Sequence, residues 1–168
     1  DASGQLGVRD IVIPCVDQSR LVDEIDTMAF VNVIQSLAEK ANAEGVNLSL
    51  ETDLAPRPFA ELLDRIGSQA VTVNYDMGNS ASLGYDPVEE FCAYGDRISD
   101  IHIKDRMQGG GPVVLGEGHC DFDRVFNQIN DSSYSGPLIM QAYRDDEGRL
   151  LFEKQKAWLE DNYGELLQ

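Results

Sequence analysis

The stretch "ISDIHIKD", residues 98–105, alternates with a period of two: Ile101 and Ile103 fall on one side of a strand, Asp100, His102 and Lys104 on the other. A half-buried strand normally turns its apolar side inward and its polar side to water. Three other runs repeat the pattern. In "VNLSLE" (46–51), Leu48 and Leu50 oppose Asn47, Ser49 and Glu51. In "AVTVNYD" (70–76), Val71, Val73 and Tyr75 oppose Thr72, Asn74 and Asp76, and in "GPLIMQAY" (136–143) Leu138 and Met140 oppose Ile139 and Gln141. Whether the polar row is a wet surface or a buried working face decides the fold.

Between these runs lie helical signals. Residues 21–44 carry Leu21, Ile25, Met28, Val31, Ile34, Leu37 and Ala41 near the 3.6 period and stop at Gly45. "PFAELLDRIG" (58–67) has Pro in its first turn, and "DPVEEFCAYG" pairs Asp86 as N-cap with Pro87 at the first position. "FDRVFNQIN" and "LLFEKQKAWLEDNYGELL" close the series, and "VRDIVIPCV" (8–16) opens it as a strand. Residues 78–84 read as a Gly/Ser/Asn loop, and 106–121 as a long loop with the composition of a mobile lid. Strand and helix alternating five times predict an α/β fold with a parallel sheet, as one domain over 1–168.

The apolar row of each strand must cover the following helix, so the polar row faces away from the helices. An open doubly wound sheet carries helices on both faces and calls for near-continuous apolar strands. One apolar and one polar face suit a TIM (β/α) barrel, where catalytic groups sit at the C-terminal strand ends. Glu51, Asp76, His102 and Gln141 stand at or near those ends. Two carboxylates and an imidazole converging there are suitable ligands for a divalent metal.

The chain has 168 residues and a net charge of −17, with 30 acidic and 13 basic residues, a field that disfavours nucleic-acid binding. No apolar run reaches the roughly 18 residues of a membrane span. The N-terminal "DASGQLGVRD" has neither a basic nor an apolar signal region. Three scattered cysteines fit reduced thiols and a cytoplasmic location, and Cys120 beside His119 lacks further ligands at zinc-site spacing. No phosphate-cradling P-loop and no GxGxxG dinucleotide fingerprint is present.

The stretches "LSLETDL", "NYDMGNSASLGYDP", "DIHIKDR", "LGEG" with "DF" shortly after, and "GPLIMQAYR", in this order over about residues 8–150, carry a resemblance. They resemble the sugar phosphate isomerase/epimerase group of the xylose isomerase-like TIM barrels, which includes endonuclease IV relatives. The resemblance implies a divalent metal (Mn²⁺, Mg²⁺, Co²⁺ or Zn²⁺) held by Glu51, Asp76, His102 and a group on the last strand. It implies a sugar or sugar phosphate as substrate, with a proton moved at the carbon next to a carbonyl through an enediolate. Gln141 departs from the pattern, standing where the last strand usually supplies Glu; an amide cannot act as a base. One-base isomerisation through Glu51 and a catalytically degenerate sugar-binding relative both stay open. Phosphodiesterase action on abasic DNA is a third reading, opposed by the charge and by only two histidines.

Supporting positions are read in pairs of roles. Lys104 either binds substrate oxygens or pairs with Asp76 or Asp100. Arg144 either grips a phosphate or pairs with Asp145 or Asp146, and Arg106 has the same status. Glu117 approaches a ligand or closes its loop, Asp105 orients a ligand, and Asn79 follows the Asp76 strand end. Five βα units match the C-terminal five of the eight in a TIM barrel of about 250 residues. An incomplete barrel is therefore expected, with its missing wall supplied by another copy or by the rest of a longer chain.

Overall fold

The computed structural model describes residues 2–146 and 148–166. After a one-turn helix α1 (Ala2–Gln5) come β1 (Asp10–Cys15), α2 (Glu24–Glu44), β2 (Asn47–Thr52), α3 (Pro56–Ile66) and β3 (Val71–Asp76). Then follow α4 (Met77–Leu83), α5 (Pro87–Tyr94), β4 (Ile98–Ile103), a short ribbon of β5 (Asp105–Arg106) and β6 (Pro112–Val113), α6 (Phe122–Asp131), β7 (Leu138–Met140) and α7 (Arg149–Tyr163). The five main strands form one parallel sheet in the order β1-β2-β3-β4-β7, an α/β barrel wall that does not close.

Helix boundaries follow local chemistry. The Asp23 carboxylate accepts from the Ile25 and Asp26 amides at 2.9 Å each, and α2 ends at Gly45 in the left-handed conformation. Asp86 caps α5 as expected, accepting from the Val88 amide at 2.8 Å. The stretch 78–84, expected as loop, is helical instead. Asp76 closes β3 and at once caps α4 by accepting from the Asn79 amide, and Gly84 ends the helix. Along α2 the core-facing residues are Val31, Ile34, Ala38 and Ala41, whereas Ile25, Met28 and Leu37 are exposed. The helix is apolar over more of its surface than this sheet covers.

The parity reading holds on the central strands. Leu50, Val71, Val73, Ile101 and Ile103 are buried against the helices. Each contributes roughly 1.5–3 kcal/mol by leaving water. The polar row is buried as well: Ser49, Glu51, Asn74, Asp76, Asp100 and His102 are each less than a tenth exposed. It is an interior face. The register has one irregularity, since Val73 pairs with Ile98 but Asn74 with Asp100, so Ser99 is an extra residue in β4.

A buried carboxylate on the helix side, Glu90, lies outside this row. Glu90 of α5 accepts from Tyr75 Oη at 2.9 Å, Tyr94 Oη at 2.8 Å and Ser80 Oγ, tying α5 to β3 and α4. Burial pushes its pKa up, only partly opposed by these hydroxyl donors. The folded protein therefore holds a proton on Glu90 over a pH window in which the unfolded chain has released it, and its contribution to stability is lost as pH rises through that window. Glu90→Gln is expected to gain stability relative to wild type as pH rises from about 4 upward, measured by urea unfolding at several pH values. A difference independent of pH contradicts this.

Candidate functional site

Asp76 ends β3, and Glu51 and His102 are the next-to-last residues of β2 and β4, all on the interior face, where the register sets Asp76 directly beside His102. One ligand atom from each lies within 4.8 Å of the others, and all three residues are buried. No other such group of three is found among the described residues, and Cys120 and His119 form no part of one.

Each carboxylate is held in place. Asp76 Oδ1 accepts from the Asn79 amide at 2.8 Å, and its Oδ2 takes the Lys104 ammonium at 3.1 Å. Glu51 Oε1 accepts from Asn79 Nδ2, so a single residue of α4 braces both ligands. Asn79 Oδ1 in turn accepts from Arg106 Nη1 at 2.7 Å, while Arg106 Nε and Nη2 hold the Gly110 carbonyl at 3.0 and 2.8 Å. Lys104 also donates to Gln141 Oε1 at 2.8 Å, and thereby joins the last strand to the group.

The electrostatics are those of crowded carboxylates. Burial, then the neighbouring Asp76, raise the Glu51 pKa, partly offset by His102, Lys104 and Asn79. Burial works against a charged His102, but Asp76, Glu51 and Asp100 outweigh it and the imidazole pKa rises. His102 Nδ1 lies 3.8 Å from Asp76 Oδ2, buried and without a hydrogen-bond partner. An orphaned ring nitrogen beside Asp76, in a group that also holds Glu51, fits a divalent cation: it supplies the missing partner and neutralises both acids. The mixed oxygen and nitrogen set suits Mn²⁺, Co²⁺ or Zn²⁺, with Mg²⁺ favouring the oxygens.

The remaining sequence-derived positions divide. Arg144 is exposed just past β7 and lines, with Lys104 and Gln141, a cleft of about 870 Å³. Glu117 is exposed on its loop, outside the three-residue group. Arg106 is committed to Asn79 and Gly110. Asp105, expected to orient a ligand, orders the "LGEG" loop instead, accepting from the amides of Gly116 at 3.0 Å, Gly118 at 2.8 Å and Cys120 at 3.0 Å. The glycines there are steric requirements. A Cβ on Gly116 would lie 2.6 Å from the Trp158 ring and one on Gly118 2.1 Å from Asp105 Oδ1. The bracing role of Asn79 has no sequence signal beyond its place three residues after Asp76.

The family model for the Xylose isomerase-like TIM barrel matches residues 1–162. Inosose dehydratase of Clostridium perfringens is 23% identical over 155 residues, covering 79% of this chain and 52% of its own length. The 2-epi-5-epi-valiolone 7-phosphate 2-epimerase of an Actinoplanes species is 26% identical over 155 residues, covering 90% of this chain and 57% of its own. The chain thus spans about half the length of the curated relatives it matches. A crystal structure of the IOLI protein with a bound zinc atom superposes with a TM-score of 0.76 at 19% identity, over 98% of this chain and 65% of that one. No helix among the described residues is long and apolar enough to cross a membrane. With the wall, the strand-end residues and the family model in agreement, the chain belongs to the xylose isomerase-like TIM-barrel family.

Proposed function

We propose that the chain carries the catalytic face of a divalent-metal-dependent isomerase or epimerase acting on a sugar or sugar phosphate, in the cytoplasm. The observation that supports this most is the buried Glu51–Asp76–His102 group with its orphaned imidazole nitrogen. These three side chains hold the metal, and Gln141 is a fourth ligand or a substrate contact. A bound metal supplies a Lewis acid beside the substrate's adjacent oxygens, which lowers the cost of charge at the neighbouring carbon.

The chain's own residues do the rest. Glu51, whose pKa is raised, accepts the proton from the hydroxyl-bearing carbon next to the carbonyl, giving an enediolate. It returns the proton to the former carbonyl carbon while the hydroxyl proton passes to the former carbonyl oxygen, a one-base isomerisation. The Lys104 ammonium, between Asp76 and Gln141, is placed to bind a substrate oxygen that gains negative charge. Arg144 shares its cleft and suits a phosphate or hydroxyl groups at the far end of the substrate. Asn79 and Arg106 fix the carboxylates and the ribbon, and Glu117, exposed on its loop, contacts the substrate.

One observation favours a second reading, a sugar-binding relative without catalysis. Gln141 offers an amide where a second carboxylate base would act, and its oxygen already accepts from Lys104. Incubation of the Mn²⁺-supplemented protein with a panel of ketoses and ketose phosphates in deuterium oxide separates the two. The enzyme reading expects deuterium at the carbon beside the carbonyl, with Glu51→Gln slowing incorporation by about 100-fold or more. Sugar binding that persists in both proteins with no incorporation in either favours the binding reading.

The site also needs a second wall. The outer edges of β1 and β7 pair with no strand among the described residues. Beside β1 an apolar groove of about 340 Å³ is lined by Ile11, Ile13, Leu37, Ala41 and Leu48. We propose that a second copy covers these edges when this chain is alone, in place of further barrel units. Light scattering is expected to give at least twice the 18.6 kDa chain mass. A monomer at every concentration argues against it.

A further inference from the structure

Asp100 lies in the middle of β4, two residues before His102 on the same face, and is fully buried. A carboxylate taken out of water needs donors on its oxygens and a positive group nearby. The donors are present and all neutral. Ser49 Oγ donates to Oδ1, Ser99 Oγ lies 3.2 Å from the same oxygen, and Asn74 Nδ2 donates to Oδ2. Ser99 reaches this position because it is the extra residue of the β4 irregularity, and it also contacts Ser49 Oγ at 3.0 Å and Thr72 Oγ1 at 2.8 Å.

The positive group is less obvious. Among the described residues the His102 ring is the only cation-capable group within 4.0 Å of the Asp100 carboxylate, with Nε2 3.9 Å from Oδ2. That distance is too long for a hydrogen bond, so the contact is electrostatic, strengthened by the lack of water around it. The same ring turns Nδ1 toward Asp76 at 3.8 Å. Two carboxylates thus flank one imidazole, and in its neutral form only one nitrogen carries a proton.

The two carboxylates are not equivalent. Asp76 already receives the charged Lys104 and the Asn79 amide, whereas Asp100 receives only neutral donors. A proton on Nδ1 would point at the satisfied carboxylate and set the Nε2 lone pair against the uncompensated one. A proton on Nε2 relieves Asp100 and leaves the Nδ1 lone pair on the Asp76 side, free for a cation. We propose that Asp100 is a positioning residue that selects the Nε2–H tautomer of His102 and so makes Nδ1 the metal-binding nitrogen. The inference rests on the metal-site reading above and adds which atom binds and what holds it ready.

Nitrogen NMR of the imidazole reads the tautomer directly. His119, exposed and outside the site, is replaced in a His119→Gln background so that His102 is the only imidazole. At about pH 9, above the usual imidazole range, the metal-free protein is expected to show a protonated Nε2 and a bare Nδ1. One equivalent of Zn²⁺ is expected to move the Nδ1 resonance while Nε2 keeps its proton. Asp100→Asn, which can turn an amide N–H toward Nε2, is expected to shift the ring toward the Nδ1–H form and weaken Zn²⁺ binding by about tenfold or more. A bare Nε2 in the Asp100-containing protein overturns the proposal, whatever any variant does. An unchanged tautomer and Zn²⁺ affinity in a folded Asp100→Asn protein, judged by circular dichroism, overturns it too. If the protein binds no Zn²⁺, the proposed function fails, and the tautomer in the metal-free protein still decides the role of Asp100.

Discussion

The structure depends on a single stereochemical constraint, the side-chain period of two on β2, β3 and β4. Once Leu50, Val73 and Ile101 are committed to the helix-facing core, Glu51, Asn74, Asp100 and His102 must turn to the other face. A slip of one residue would exchange the two sets, burying carboxylates against α3 and α5 and exposing the aliphatic core. The hydrophobic effect therefore places the polar residues as firmly as it places the apolar ones.

Acidic groups gathered inside a chain of net charge −17 are a cost, and the structure answers it locally. Asp76 has Lys104 and the start of α4, Glu51 has the Asn79 amide, and Asp100 has two serines and Asn74. His102 sits between Asp76 and Asp100 with one nitrogen toward each. Glu90 repeats the solution on the helix side with three hydroxyls. Among the described residues, the buried side-chain polar atoms without a hydrogen-bond partner are His102 Nδ1 and Asn74 Oδ1, and the former lies where the family resemblance places a metal.

Much of this was legible in the sequence because it follows from alternation. The four strand runs and the meeting of Glu51, Asp76 and His102 came from counting apolar and polar positions and reading strand ends. The incomplete barrel came instead from the family resemblance, which implies eight βα units against the five counted. What escaped follows from other physics. Residues 78–84 hide a helix whose cap is the last residue of the preceding strand, so loop composition misled. The extra Ser99 is invisible to a period-two count, because only the partner strand defines an extra residue. Asp105 could not be told from a ligand-orienting acid, since its partners are backbone amides 11 to 15 residues away. Lys104 pairs with Asp76, one of the two partners read for it, but its second bond, to Gln141, depends on side-chain reach to the neighbouring strand end.

The central claim is that three strand ends form one divalent-metal site. Titration of the chelator-treated protein with Mn²⁺, following the loss of the free-ion paramagnetic resonance signal, tests it most directly. The account predicts one tight site per chain, with Asp76→Asn and His102→Gln each weakening it at least about tenfold. Absence of a tight site in the wild-type protein, or a site that both substitutions leave intact, would contradict it.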